Sequence, residues 1–193
     1  MIEVDHAADR AAAAAWARAA LADEGAVILD TETTDLRGYV CDIAIIRATD
    51  GEVLMDTLAN PGMAILAAAQ AKHGISDHDV VGAPSFATLM PHVEQALTGR
   101  RVLVYNAEYD AGRLSAEVAR MDGYTGGSGL FGRRQLGQHP WECIMLQYAA
   151  WVGEWNEYHG NYRWHKLNGE HRALGDCLAA RRRLFEMAGE PLP

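Results

Sequence analysis

With 193 residues, 49% of them hydrophobic, and no linker or low-complexity break, the chain is long enough for one substantial core and reads as a single domain. No run of about eighteen apolar residues is present. The start is not signal-like either, because Ala11 to Ala15 lie between Arg10 and Arg18, so the expectation is a soluble, cytoplasmic protein without a membrane span. A formal charge of −9 argues against tight, non-specific coating of a nucleic-acid duplex, which draws on a basic surface.

Residues 7–23 read as an alanine-rich helix lying against the sheet, before a first strand that begins at Ala26. That strand runs Val27-Ile28-Leu29-Asp30-Thr31-Glu32-Thr33, and its two-residue repeat sends Asp30 and Glu32 to one face. Two carboxylates on a buried face repel each other, a cost tolerable mainly when a cation sits between them. Alone, the same Asp-x-Glu also fits a strand that ends in a solvent-facing turn. Residues 42–46 and 53–57 follow as two strands joined by a Thr49-Asp50-Gly51 hairpin turn, and Pro61 closes that unit.

A short helix near residues 64–71, a loop at His73, a helix near residues 86–97 and a strand over residues 101–106 come next. The following helix carries Leu114, Val118 and Met121 on its apolar face, and Asp110 shares that face near the helix start. It lies at the end of a strand, where open sheets commonly bind ligands. Alone, Asp110 also fits a partner for the helix dipole. Residues 123–132 hold five glycines without the Gly-Lys-Ser/Thr ending of a P-loop, and read as a mobile loop.

Residues 141–155 have helical apolar spacing, and Tyr158, Tyr162 and Trp164 make the next connection aromatic-rich. Trp141 and Trp151 read as packing residues; Tyr162 and Trp164 fit packing or stacking on unpaired bases equally. After the turn Leu167-Asn168-Gly169, a last helix carries Leu174, Cys177, Leu178, Leu184 and Phe185. His171 and Asp176, five residues apart, need not share a helix face, so His171 fits the approach, overhanging a site that Asp176 lines. Alone, it also fits an ordinary helix-entry residue. Cys41, Cys143 and Cys177 lie singly without Cys-x-x-Cys spacing and read as reduced core residues.

Strands first as a meander, then alternating with helices, indicate an α/β fold with a mixed sheet. The three acidic segments, in this order and spacing, resemble the DEDDh 3'-to-5' exonucleases, also called DnaQ-like. Asp30 and Glu32 match the first motif, Asp110 in Asn-Ala-Glu-Tyr-Asp the second, and His171 with Asp176 in His-x-Ala-x-x-Asp the third. His73-Gly74-Ile75-Ser76 is similar to the family's His-Gly-Ile-Thr loop, and the likeness spans about residues 26–187. Asp35 stands where many members have Gly, and Tyr109 where Phe is common.

The resemblance implies a ribonuclease-H-like sheet, its first three strands antiparallel and the later ones parallel, flanked by helices. It implies metal-dependent hydrolysis of the terminal phosphodiester at a 3' end, single-stranded or frayed, DNA favoured, with release of nucleoside monophosphates. Asp30 would bridge two Mg2+ or Mn2+ ions about 4 Å apart, Glu32 and Asp176 would complete the ion holding the attacking water, and Asp110 would serve the second. His171 would take the water's proton. Thr31, Thr33, Thr34, Leu36, His73 and Asn106 would bind substrate, with Leu36 wedged against the last base.

Arg113, Arg133, Arg134, Arg163, Lys166 and Arg172 are candidates for the phosphate path, though each also fits an ordinary solvated surface. The alternatives are an RNA-trimming exoribonuclease of the same fold and a non-catalytic nucleic-acid-binding or polymerase-accessory module. A polymerase or a replication or repair protein is the partner the resemblance suggests.

Overall fold

In the structure, a computed structural model, residues 4–121 and 141–192 are described. The glycine-rich segment 123–132, Arg133 and Arg134 lie outside them. The central element is β1 (Val27–Thr33), buried along nearly its whole length. β2 (Val40–Arg47) pairs with it antiparallel and β3 (Val53–Leu58) pairs antiparallel with β2, while β4 (Val102–Val104) lies parallel on the other side, followed by the parallel edge strand β5 (Glu142–Cys143). Among the described residues the sheet order is β3-β2-β1-β4-β5, the mixed α/β arrangement of the ribonuclease-H-like class.

Strand alternation assigns each side chain to a layer. Val27 and Leu29 of β1, with Ile43 and Ile45 of β2, pack against α4 (Phe86–Leu97) and α5 (Ala107–Ala119) through Phe86, Met90, Val93, Leu114 and Val118. Ile28, Ala44 and Ile46 face the opposite way, onto α7 (Ala173–Ala188) through Cys177, Ala180 and Leu184. Each fully buried aliphatic side chain here contributes about 1.5–3 kcal/mol. The same alternation carries Asp30 and Glu32 onto the α7 side, and Thr31 and Thr33 onto the α5 side.

The first helix, α1 (His6–Leu21), buries Ala13, Ala17 and Ala20. These small residues permit close approach to α7 and to α6 (Ile144–Val152), while Trp16 reaches Glu142 on the edge strand β5. Several expected boundaries move, and the strand expected over residues 101–106 shortens to β4. The helix expected over residues 141–155 begins only after β5 and ends at Gly153, whose left-handed backbone (φ 85) forms the cap. Beyond it Trp155–Asn156 (β6) and Asn161–Tyr162 (β7) pair as a hairpin, with Asn156 Oδ1 accepting the Tyr158 and His159 N–H groups in the turn.

The short helix expected near residues 64–71 lies at Ala67–His73 (α2), since Leu66 is extended and donates its N–H to the Thr34 carbonyl. A further turn, Asp77–Val80 (α3), is closed by a Ser76–Asp79 capping box. Cys41 and Cys177 are buried, and all three cysteines are free. Among the described residues no helix is long and apolar enough to cross a membrane.

Candidate active site

The C-terminal end of β1 is where the acidic residues meet. Glu32 comes from the sheet and is buried, as is Asp176 in the first turn of α7. A carboxylate oxygen of each and a ring nitrogen of His171 lie within 4.8 Å of one another. Asp30, one strand repeat earlier, has Asp110, Asp176, Glu32 and Asp42 as its charged neighbours in decreasing order of effect. Asp110 enters from the opposite layer, 4% exposed, and accepts a 2.7 Å hydrogen bond from Thr31 Oγ1. Glu32, His171 and Asp176 are therefore brought together from β1, the turn before α7 and α7, with Asp30 of β1 and Asp110 of α5 as charged neighbours.

This concentration of negative charge is electrostatically unfavourable by itself. Asp30 is half-buried, and its desolvation together with the surrounding carboxylates pushes its carboxyl well above the usual range. Burial, reinforced by Asp176 and only partly offset by Lys72, raises Glu32 to about 7. Burial also raises Asp110 to about 7, against the opposing hydrogen bond from Thr31. Carboxyls held out of their ordinary range by burial and by like neighbours fit divalent-cation sites, where hard oxygen donors are preferred and the ion's charge removes the repulsion.

The turn before α7 is shaped around Asp176. Its Oδ1 accepts the His171 N–H at 3.0 Å, and His171 itself is left-handed (φ 55). Gly169 passes so close that a Cβ there would stand 2.0 Å from Asp176 Oδ1, so only glycine fits. Behind this turn, Arg172 Nε and the Ala173 N–H both donate to Asp42 Oδ2 at 2.8 and 3.2 Å.

The remaining sequence candidates surround the mouth of the site. Thr33 Oγ1 donates to the Asp35 carbonyl at 2.7 Å and so accepts from the Tyr109 hydroxyl at 2.6 Å. Thr34 Oγ1 accepts the Tyr39 N–H, and Leu36 stands 82% exposed at the tip of the loop. His73 is buried: its Nδ1 accepts the Ile75 N–H, which leaves the proton on Nε2 to donate to the Thr33 carbonyl at 3.2 Å. With both ring nitrogens engaged, it supports the loop from behind. Asn106 is exposed at the start of α5.

Among the suggested phosphate-path cations, Arg172 is held by Asp42, Arg113 donates to the Gly38 carbonyl, and Arg163 pairs with Glu154 at 3.8 Å; Lys166 is exposed. Tyr162 is anchored by a 2.6 Å bond to Asp9 and an edge-on contact with Trp155, whereas Trp164 is exposed. Sequence reasoning passed over Asp42, a lone charge in an apolar strand, and Lys72, an exposed cation at the end of α2 whose charge reaches Glu32.

A mixed sheet with acids converging at the end of its central strand defines an α/β enzyme of the nuclease type. The family model described as "Exonuclease" matches residues 27–182. The uncharacterized exonuclease CP81 of Escherichia phage 186 is 30% identical over 169 residues, covering 80% of this chain and 84% of the phage protein. Exodeoxyribonuclease 10 of Escherichia coli strain K12 is 29% identical over 162 residues, 78% of this chain and 62% of its own length. A solved structure of Exonuclease X in complex with 5' overhanging duplex DNA shares the fold with a TM-score of 0.52 at 24% identity, covering 86% of this chain and 95% of that one. The chain belongs to the exonuclease family, of the DnaQ-like DEDDh type, and is a hydrolytic enzyme of a family that uses divalent metal ions.

Proposed function

We propose that this exonuclease removes nucleoside monophosphates from the 3' end of single-stranded or frayed DNA. The observation that carries the reading is the meeting of Glu32, His171 and Asp176 within 4.8 Å, beside Asp30 and Asp110. The DNA assignment is supported by the exodeoxyribonuclease relative and by the DNA-bound structure that shares the fold. The 3'-to-5' direction follows from the DEDDh pattern.

Asp30, Glu32, Asp110 and Asp176 would hold the divalent cations, Mg2+ or Mn2+, which supply charge neutralisation for the phosphate and an acidified water when bound. His171, beside Glu32 and Asp176, would accept the proton of the attacking water as general base. The loop from Thr33 to Leu36 receives the last nucleotide, with the exposed Leu36 against its base and Asn106 at the rim. His73 acts on this loop through the Thr33 carbonyl. Lys72, whose charge reaches Glu32, serves as a cation for the phosphate.

The test gives purified protein matched DNA and RNA oligomers labelled at either end, with Mg2+, with Mn2+ and with chelator. Stepwise shortening of DNA from the 3' end only in the presence of metal is expected, with a loss of about 10²- to 10⁴-fold for His171→Ala. Shortening from the 5' end, or a rate indifferent to chelator, would overturn the reading; a strong preference for RNA would overturn the DNA assignment alone.

A further inference from the structure

Asp30 and Glu32 are fixed by a buried strand, Asp176 by α7, and Asp110 by α5 and the Thr31 hydroxyl. His171 differs. It stands outside any helix or strand, in left-handed backbone, and its imidazole makes no hydrogen bond among the described residues. Its aim therefore depends on what holds the chain to either side. Ahead, its own N–H is tied to Asp176. Behind, the next two residues converge on a single oxygen, with Arg172 Nε and the Ala173 N–H both donating to Asp42 Oδ2.

Asp42 lies on β2 directly opposite Glu32 in the strand register. The two bonds thus clip the His171 turn to the same row of the sheet that presents Glu32. A second observation bears on why an aspartate is there. Asp42 is 1% exposed, yet among the described residues its Oδ1 has no hydrogen-bond partner. A buried carboxylate with one oxygen unsatisfied is unfavourable, and an apolar residue would dock α7 on the sheet at lower cost. What the charge does hold is the Arg172 side chain and the Ala173 backbone N–H, immediately after His171.

We propose that Asp42, acting with Arg172, is a positioning residue for His171 in the hydrolytic step, an inference that rests on the exonuclease reading above. The test measures kcat and KM on end-labelled single-stranded DNA in Mg2+ for Asp42→Asn, Arg172→Leu, Arg172→Lys, His171→Ala and the Asp42→Asn/His171→Ala double variant. Asp42→Asn is expected to lower kcat by about tenfold or more with KM nearly unchanged, because the base is misaimed while strand binding persists. Arg172→Leu should do the same, and Arg172→Lys should recover part of the rate.

The double variant should be no slower than His171→Ala alone, since a residue that acts through the imidazole has nothing left to position. Losses that multiply in the double variant, or an unaltered kcat in both Asp42→Asn and Arg172→Leu, would overturn the positioning role. Should Asp42→Asn fail to fold, Arg172→Leu and its combination with His171→Ala carry the same comparison, because the Arg172 side chain is half exposed. His171→Ala at the wild-type rate would instead remove the exonuclease reading of that residue, and the positioning role with it.

Discussion

Thr31 and Asp110 stand 79 positions apart, yet a 2.7 Å hydrogen bond from the threonine hydroxyl to the aspartate joins the first acidic segment to the second. It is the link by which an acid from the α5 layer is held at an end of β1 whose own acids face α7. The bond also favours the ionised carboxylate against the burial that raises it.

Thr31→Val keeps the side-chain shape and removes the donor. Asp110 should then titrate higher and bind cations less well, with kcat/KM reduced about tenfold, equivalent to about 1.4 kcal/mol. A divalent-metal titration of activity at neutral pH checks this. The apparent metal affinity should fall along with the rate.

Gly169→Ala tests the close approach at the third segment. A Cβ 2.0 Å from Asp176 Oδ1 cannot be accommodated without displacing that carboxylate or the turn that carries His171. The expected outcome is at least a hundredfold loss of hydrolysis, the scale of losing a general base, with a cooperative thermal transition retained. Activity assays beside thermal melts separate the two effects.

Burial and charge crowding at the site predict an unusual pH dependence of stability in the presence of chelator. Glu32 rises from 4.5 to about 7 and Asp110 from 3.8 to about 7, so the folded state holds protons that the unfolded chain has released. The stability they contribute is fully present below the unfolded values and is lost as pH rises through about 7. Metal-free protein should lose this contribution between about pH 4 and pH 7, and Mg2+ or Mn2+ should restore stability most at the upper end. Melting temperatures with and without metal check the sign, and Glu32→Gln should flatten the metal-free trend.

Leu36 offers the opposite kind of test, because it is exposed and contributes little to folding. Leu36→Ala should leave the melting temperature unchanged and raise KM roughly fivefold, for about 1 kcal/mol of lost apolar contact with the terminal base. Steady-state kinetics on single-stranded DNA would show it.

Periodicity made much of this arrangement legible. The two-residue repeat of β1 put Asp30 and Glu32 on one face, and helical spacing gave α4 its observed bounds, Phe86–Leu97. What escaped was decided by distant contacts or by single backbone angles. Asp42 reads as an interruption in an apolar strand until Arg172, 130 positions later, is seen against it. His73 has the motif of a substrate contact, but a buried setting and the Ile75 N–H commit its ring to the Thr33 carbonyl. Tyr162 is one of three nearby aromatic residues in the sequence, and its bond to Asp9 and edge-on contact with Trp155 separate it from the exposed Trp164. Apolar spacing past residue 152 continued to suggest helix, although a left-handed Gly153 ends it.

Direct measurement of divalent-cation binding tests the central claim most closely. Calorimetric titration of the metal-free protein with MnCl2 at neutral pH should show saturable binding with release of protons, since Glu32 and Asp110 titrate near 7. That binding should be lost in Asp30→Asn and Asp176→Asn variants that melt cooperatively. Undiminished Mn2+ uptake by both variants would contradict the assignment of these carboxylates as a shared cation site.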